Sequence, residues 1–276
     1  MMAIRLIVNA DDYGRSTNVS CGIRDAYSKG ILRSTTCMMN MPSVVEDIKI
    51  AQKETPGLGM GVHLVLTAGS PLLPSDQVKT LVGSDGAFLK LDRLIADRAQ
   101  LDPVQVKAEW RAQVENFVAA AGHNPTHLDS HHHSSYFTPD LFQVMLELAG
   151  EYDVAIRLPV EPEARDTMAG IPRELFQPMM ENAPRLLQTF RPRHPDAFFA
   201  SFYDALATQE ELFRIFHSLK EGTFEIMTHP GYSDPDLIAS TSYAVQRDRE
   251  LKILTDPETI AEIGKCQIEL MHFGQL

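Results

Sequence analysis

The chain has 276 residues, 44% of them apolar, with 37 acidic and 25 basic side chains and a formal net charge of −12. This length is enough to bury a sizeable core, in one α/β barrel or in two smaller domains. The acidic balance argues against nucleic acid as the main partner, because phosphate binding needs clustered Lys and Arg; a neutral or cationic small substrate is compatible.

The N-terminal run MMAIRLIVNADD enters an apolar segment directly and ends in two acids, without a small-residue cleavage site. It reads as a first β-strand and not as a signal peptide. No stretch of roughly 18 apolar residues could span a bilayer. The cysteines Cys21, Cys37 and Cys266 are widely spaced, odd in number and without a CxxC pair. That spacing disfavours a disulfide framework or thiolate zinc site, so a cytoplasmic location is expected.

Short apolar runs then alternate with helix-patterned stretches, the signature of repeated β-α units. Strands are expected near 5–10, 34–39, 61–67, 126–130, 154–158, 197–202, 223–229 and 267–273. The intervening helices are expected near 18–29, 43–54, 104–121, 139–150, 173–190, 208–220 and 242–265. Seven or eight mostly parallel strands with outer helices predict a (β/α) barrel-like α/β fold, closed or partly closed; an open doubly wound sheet is the alternative. Two connections, 68–103 and 159–196, are longer than a barrel requires and are Pro-rich. Long loops on such folds commonly form binding lids or walls. With no evident linker, one catalytic domain over residues 1–276 is expected.

The first chemical constellation is Asn9-Ala10-Asp11-Asp12-Tyr13-Gly14, at the C-terminal end of the first strand. Barrel active sites are built at such ends, although Asp12 could simply cap a turn closed by Gly14. In Gly61-Val62-His63-Leu64-Val65-Leu66, a period of two puts Val62, Leu64 and Leu66 on one face and Gly61 with His63 on the other. The glycine leaves room around the imidazole, yet a lone strand histidine is commonly structural. In Thr126-His127-Leu128-Asp129-Ser130-His131-His132-His133, the same period aligns His127, Asp129 and His131 on one face, spaced to converge on one point. Neutral imidazoles bind metals, and a nearby carboxylate fixes the tautomer. A solvated polar loop is the alternative.

Arg157, in Ala155-Ile156-Arg157-Leu158, should share a face with Ala155, where it could orient a carboxylate or touch substrate; a surface ion pair is the plain alternative. His229 precedes Pro230-Gly231 and could be a proton donor, a third metal ligand or a turn residue. P-loop, GxGxxG, GxSxG and HExxH patterns are absent from the sequence.

Together the segments VNADDYG (8–14), GVHLVLT (61–67), THLDSHHH (126–133) and MTHPG (227–231) resemble those of the YdjC-type carbohydrate deacetylases, which include the chitooligosaccharide deacetylases. STT (34–36), AIRLP (155–159) and FYD (202–204) extend the likeness over nearly the whole chain. The resemblance implies a barrel-like fold, one divalent ion held by Asp12, His63 and His131, and Asp11 as general base. It implies hydrolysis of an N-acetylated sugar, with metal-activated water attacking the acetyl carbonyl. His229 is then the expected general acid, with His133 or His127 behind it, and Asp129 orients an imidazole. Ligand softness suits zinc, cobalt or nickel, while the family is often described with magnesium. A homodimer is a further implication. Competing readings are another metallohydrolase, such as a phosphoesterase or amidohydrolase, and a non-catalytic sugar-binding protein.

Overall fold

The computed structural model of the protein describes residues 3–158 and 167–276. Residues 159–166, with Pro159 and Pro162 of the expected second long loop, lie outside the described residues. In chain order the first half contains β1 (Ile4–Tyr13), α1 (Thr17–Lys29), β2 (Ser34–Cys37), α2 (Val44–Glu54), β3 (Gly59–Leu64), α3 (Leu91–Asp97), α4 (Pro103–Ala121), β4 (His127–Ser130), α5 (Pro139–Tyr152) and β5 (Ala155–Ile156). The second half has a small antiparallel pair, β6 (Thr167–Met168) and β7 (Ile171–Pro172), followed by α6 (Gln177–Phe190) and β8 (Ala197–Phe199). Then come α7 (Gln209–Ser218), β9 (Gly222–Thr228), α8 (Pro235–Ser240), α9 (Val245–Leu254), α10 (Pro257–Lys265) and β10 (Ile268–Met271).

The main sheet runs β5-β4-β3-β2-β1-β9-β8, and every pairing in it is parallel. Read around a cylinder this is simply chain order, with one open seam between β5 and β8. The fold is therefore a (β/α) barrel-like α/β fold, and the open doubly wound sheet is excluded. At the seam, the Ile156 N–H donates to the Arg193 carbonyl at 2.9 Å. Strand β10 lies beside the first half of β1, below the point where β2 takes over that edge.

Strand alternation divides the side chains into two sets. Leu6, Val8, Val62, Leu64, Leu128, Ile156 and Ile226 join one apolar cluster with helix residues such as Ile23, Val114 and Phe117. Each fully buried aliphatic or aromatic side chain of this kind contributes about 1.5–3 kcal/mol. Inside the barrel, Ile7, Ala155, Met271 and Phe273 form a separate apolar floor. His127 stacks on Phe273 there, with ring centroids 3.7 Å apart and 8° between planes. A Cβ on Gly61 would lie 2.5 Å from His127 Nδ1, so the glycine makes room for this imidazole and not for His63.

Helix ends follow local chemistry. Ser16, Asp102, Thr138, Thr208 and Asp256 each accept a backbone N–H as N-caps. Proline sits at the start of α4, α5 and α10. The expected helix over 242–265 is in fact two, α9 and α10, broken where Asp256 caps a new helix opened by Pro257. The loop over 68–103 contains the short helix α3, which the sequence reading did not anticipate.

Candidate active site

The two adjacent acids reach the same site because β1 is irregular. Ala10 pairs with Thr35 and Tyr13 with Cys37, so three residues of β1 span two of β2. This is a β-bulge, and within it Asp12 adopts φ +71°, a left-handed conformation that Asp tolerates better than most residues. A regular strand would send Asp11 and Asp12 to opposite faces. Here both carboxylates line the barrel mouth. Gly14 then closes the turn at φ +86°, where a Cβ would lie 2.4 Å from Val44 Cγ2.

Asp12, His63 and His131 come together with a specific geometry. Asp12 Oδ1 lies 3.1 Å from His131 Nδ1 and 3.5 Å from His63 Nε2, and the two nitrogens are 3.3 Å apart. Donors about 2.1 Å from a common ion and separated by these distances subtend angles of about 95–113°, from near octahedral to just past tetrahedral. Asp12 Oδ1 is buried and makes no hydrogen bond. An unsatisfied buried carboxylate oxygen facing two imidazole nitrogens fits a cation-binding set. Asp129 accepts from His63 Nδ1 at 2.6 Å, which turns Nε2 towards Asp12. Burial opposes charge on His63, but the Asp129, Asp11 and Asp12 carboxylates lift its pKa to about 9. A cation at Nε2 would take the place of that proton.

Behind this set lies a buried ion network. Arg157 is fully buried, as expected of an inward side chain, and its two terminal nitrogens hold the Asp11 oxygens at 2.8 and 2.7 Å. The same guanidinium reaches Asp129 at 2.9 Å and Glu225 at 2.8 Å, with the ring of Phe198 4.9 Å away. Burial would raise the Asp11 pKa, but Arg157 overrides it and holds the carboxyl well below the usual range. For Glu225, burial outweighs Arg157 and pushes the pKa up to about 7. Asn9 Nδ2 donates to Asp11 Oδ1 at 2.9 Å, which completes the cradle.

Above these groups opens a cavity of about 930 Å³, within the size range of ligand sites. Asp11, Asp12, His63, His131, His133 and His229 line it. His229 Nε2 lies 4.0 Å from Asp11 Oδ2, while its Nδ1 is buried without a hydrogen bond. Burial holds the His229 pKa down at about 4 despite the nearby Asp11 and Asp12. His127 shares the inward face of Asp129 but stands in the floor, so the expected convergence of His127 on the same point does not occur. Two residues of strand, about 6.6 Å, separate it from Asp129. That depth removes His127 as a proton donor.

Helix α9 was expected as part of the 242–265 helix, but its contribution to the site was not. Its buried residues are Arg247, Glu250, Leu251 and Leu254, an inward stripe in which two positions are charged. Arg247 donates to Asp12 Oδ2 at 2.5 Å, and Glu250 accepts the backbone N–H of His229 at 2.5 Å. Tyr243 donates to the other Glu250 oxygen and stacks on Tyr203, centroids 4.5 Å apart, beside the His229 ring. Charged residues at helix positions otherwise held by leucine were the available signal.

The profile of the YdjC-like protein family matches residues 5–263. The chain belongs to the YdjC-like family. A carbohydrate deacetylase of Clostridium beijerinckii is 36% identical to this YdjC-like chain over 275 residues, covering 99% of the chain and all of the relative. A carbohydrate deacetylase of Brevibacillus brevis is 37% identical over 278 residues, with 99% and 100% coverage. A crystal structure from Enterococcus faecalis V583, assigned as a candidate cellobiose-phosphate cleavage protein, superposes with a TM-score of 0.85 at 30% identity, covering 99% of this chain and 98% of that one. Among the described residues no helix is long and apolar enough to cross a membrane.

Proposed function

We propose that the protein is a carbohydrate deacetylase that hydrolyses the acetamide of an N-acetylated sugar with one divalent cation held by Asp12, His63 and His131. The observation that carries this is the buried, unsatisfied Asp12 Oδ1 facing two imidazole nitrogens at the base of a ligand-sized cavity. Similarity to carbohydrate deacetylases over the full chain supports the substrate class. When bound, the cation supplies Lewis acidity for activating water and for stabilising the developing oxyanion.

The remaining chemistry falls to side chains. Asp11 is ionised throughout the neutral range and faces the cavity, so its carboxylate is the acceptor for the proton of the attacking water. Arg157 positions that carboxylate and limits its basicity in the resting state. An amine leaves poorly unless protonated. His229, neutral at pH 7 and 4.0 Å from Asp11 Oδ2, can receive the proton and pass it to the leaving nitrogen. Asp129 positions His63.

A phosphoesterase would need a cationic clamp for phosphate, and Arg157 cannot supply one. Wholly buried against three carboxylates, it has no edge left for substrate. The decisive experiment strips the purified protein with a chelator and reloads it with Zn2+, Co2+ or Mg2+. Acetate release from N-acetylglucosamine oligomers is then measured. His131→Ala should lose both metal retention and turnover. Asp11→Asn should keep the metal and lose about 10²–10⁴-fold in rate. A metal-loaded protein that binds chitin fragments without releasing acetate would overturn the proposal in favour of a sugar-binding role.

A further inference from the structure

Asp12 has two oxygens with opposite fates. Oδ1 faces His63 and His131 and makes no hydrogen bond, while Oδ2 accepts from Arg247 Nη2 at 2.5 Å. Arg247 is only 2% exposed and is fixed from several sides. Its Nε donates to the Tyr243 carbonyl at 3.1 Å, its guanidinium lies 5.7 Å from the Tyr243 ring, and its own carbonyl accepts from Gly231 N. A carboxylate at a cation site can bind through one oxygen or both. A charged, anchored donor on one oxygen removes that lone pair from competition.

The geometry points to Arg247 as the residue that confines Asp12 to a single donor oxygen, keeping coordination positions free for water and substrate. This rests on the Asp12-His63-His131 reading of the cation site. A guanidinium next to a dication is electrostatically unfavourable, so a residue kept merely for metal affinity would not be an arginine here. Its position instead suits a site that must stay open, since catalytic metal sites leave positions to substrate where structural ones are filled by protein ligands. Arg247 acts through Asp12 and is a positioning residue.

The test uses the full-length protein loaded with Co2+, whose visible bands weaken severalfold as coordination rises from four or five ligands to six. In Arg247→Met, with Oδ2 released, the bands should weaken, metal should be held at least as tightly as in wild type, and kcat should fall more than KM rises. Arg247→Lys, which returns one charged N–H to Oδ2, should recover the wild-type spectrum. A role confined to fold stability predicts the opposite pattern: lower melting temperature, looser metal and an unchanged spectrum in the folded fraction. If the methionine variant does not fold, X-ray absorption on the zinc-loaded wild type decides, because a bidentate Asp12 there overturns the inference. A wild-type protein that retains no metal would instead overturn the cation-site reading itself.

Discussion

The interior of the barrel has two layers that follow opposite rules. In the floor, Ile7, Ala155, Met271 and Phe273 pack dry around the His127 ring. At the mouth, Asp11, Asp12, His63, Asp129, Arg157 and Glu225 are equally buried. The same strands supply both layers: β1 gives Ile7 and then Asp11, β4 gives His127 and then Asp129, and β5 gives Ala155 with Arg157 just past its end. Two to four residues separate burial that stabilises outright from burial that is tolerable only when every charge has a partner. The floor can absorb a change of shape. At the mouth, a change of charge leaves a buried partner uncompensated.

Arg157→Met is the harshest way to break that comparison. It leaves Asp11, Asp129 and Glu225 facing one another, and urea unfolding at pH 7 should show a loss of about 3–5 kcal/mol. A near-neutral result would mean that the carboxylates simply protonate and that the network is dispensable. Next, Asp129→Asn replaces the carboxylate that holds His63 Nδ1 with a neutral amide, and metal titration should show affinity about 10–100-fold weaker with the fold retained.

The Glu225 carboxyl offers a subtler test. Its pKa is 4.5 in an unstructured chain and about 7 in the fold, so between those values the folded state binds more protons than the unfolded one. Stability from this group therefore falls as pH rises from about 4.5 to about 7. Glu225→Gln should flatten that part of the stability curve, and an unchanged slope would remove Glu225 from the account. In the floor, Phe273→Leu keeps an apolar side chain but loses the His127 stacking, and should cost about 1–2 kcal/mol in unfolding experiments while leaving turnover near wild type. Smallest of all, Glu151→Ala deletes the exposed ion pairs with Lys107 and Arg111 and should shift stability by no more than about 1 kcal/mol.

Much of this was legible from spacing alone. A period of two placed Arg157 inward beside Ala155 and put Asp129 and His131 on one face, because side chains of an extended segment without a bulge alternate between faces. It could not say how far along the barrel axis a side chain stands, and His127 was misjudged for that reason. The bulge at Asp12 was also invisible, since an inserted residue looks like any other until its partner strand is known. Arg247 and Glu250 sit in QRDREL, which reads as a solvated helical face unless their registry with Leu251 and Leu254 is noticed. The helix break at Asp256-Pro257 carried a plain capping signal, an aspartate N-cap followed by proline.

The left-handed backbone at Asp12 also narrows what can occupy that position before any coordination chemistry begins. Glutamate offers the same functional group on a longer arm, but a side chain without asparagine-like tolerance of positive φ pays roughly 1–3 kcal/mol there. Its extra methylene would also carry the oxygen past the two imidazoles. The main chain thus selects aspartate over its nearest chemical relative, and the choice is made by torsion angles well before an ion is present to express a preference.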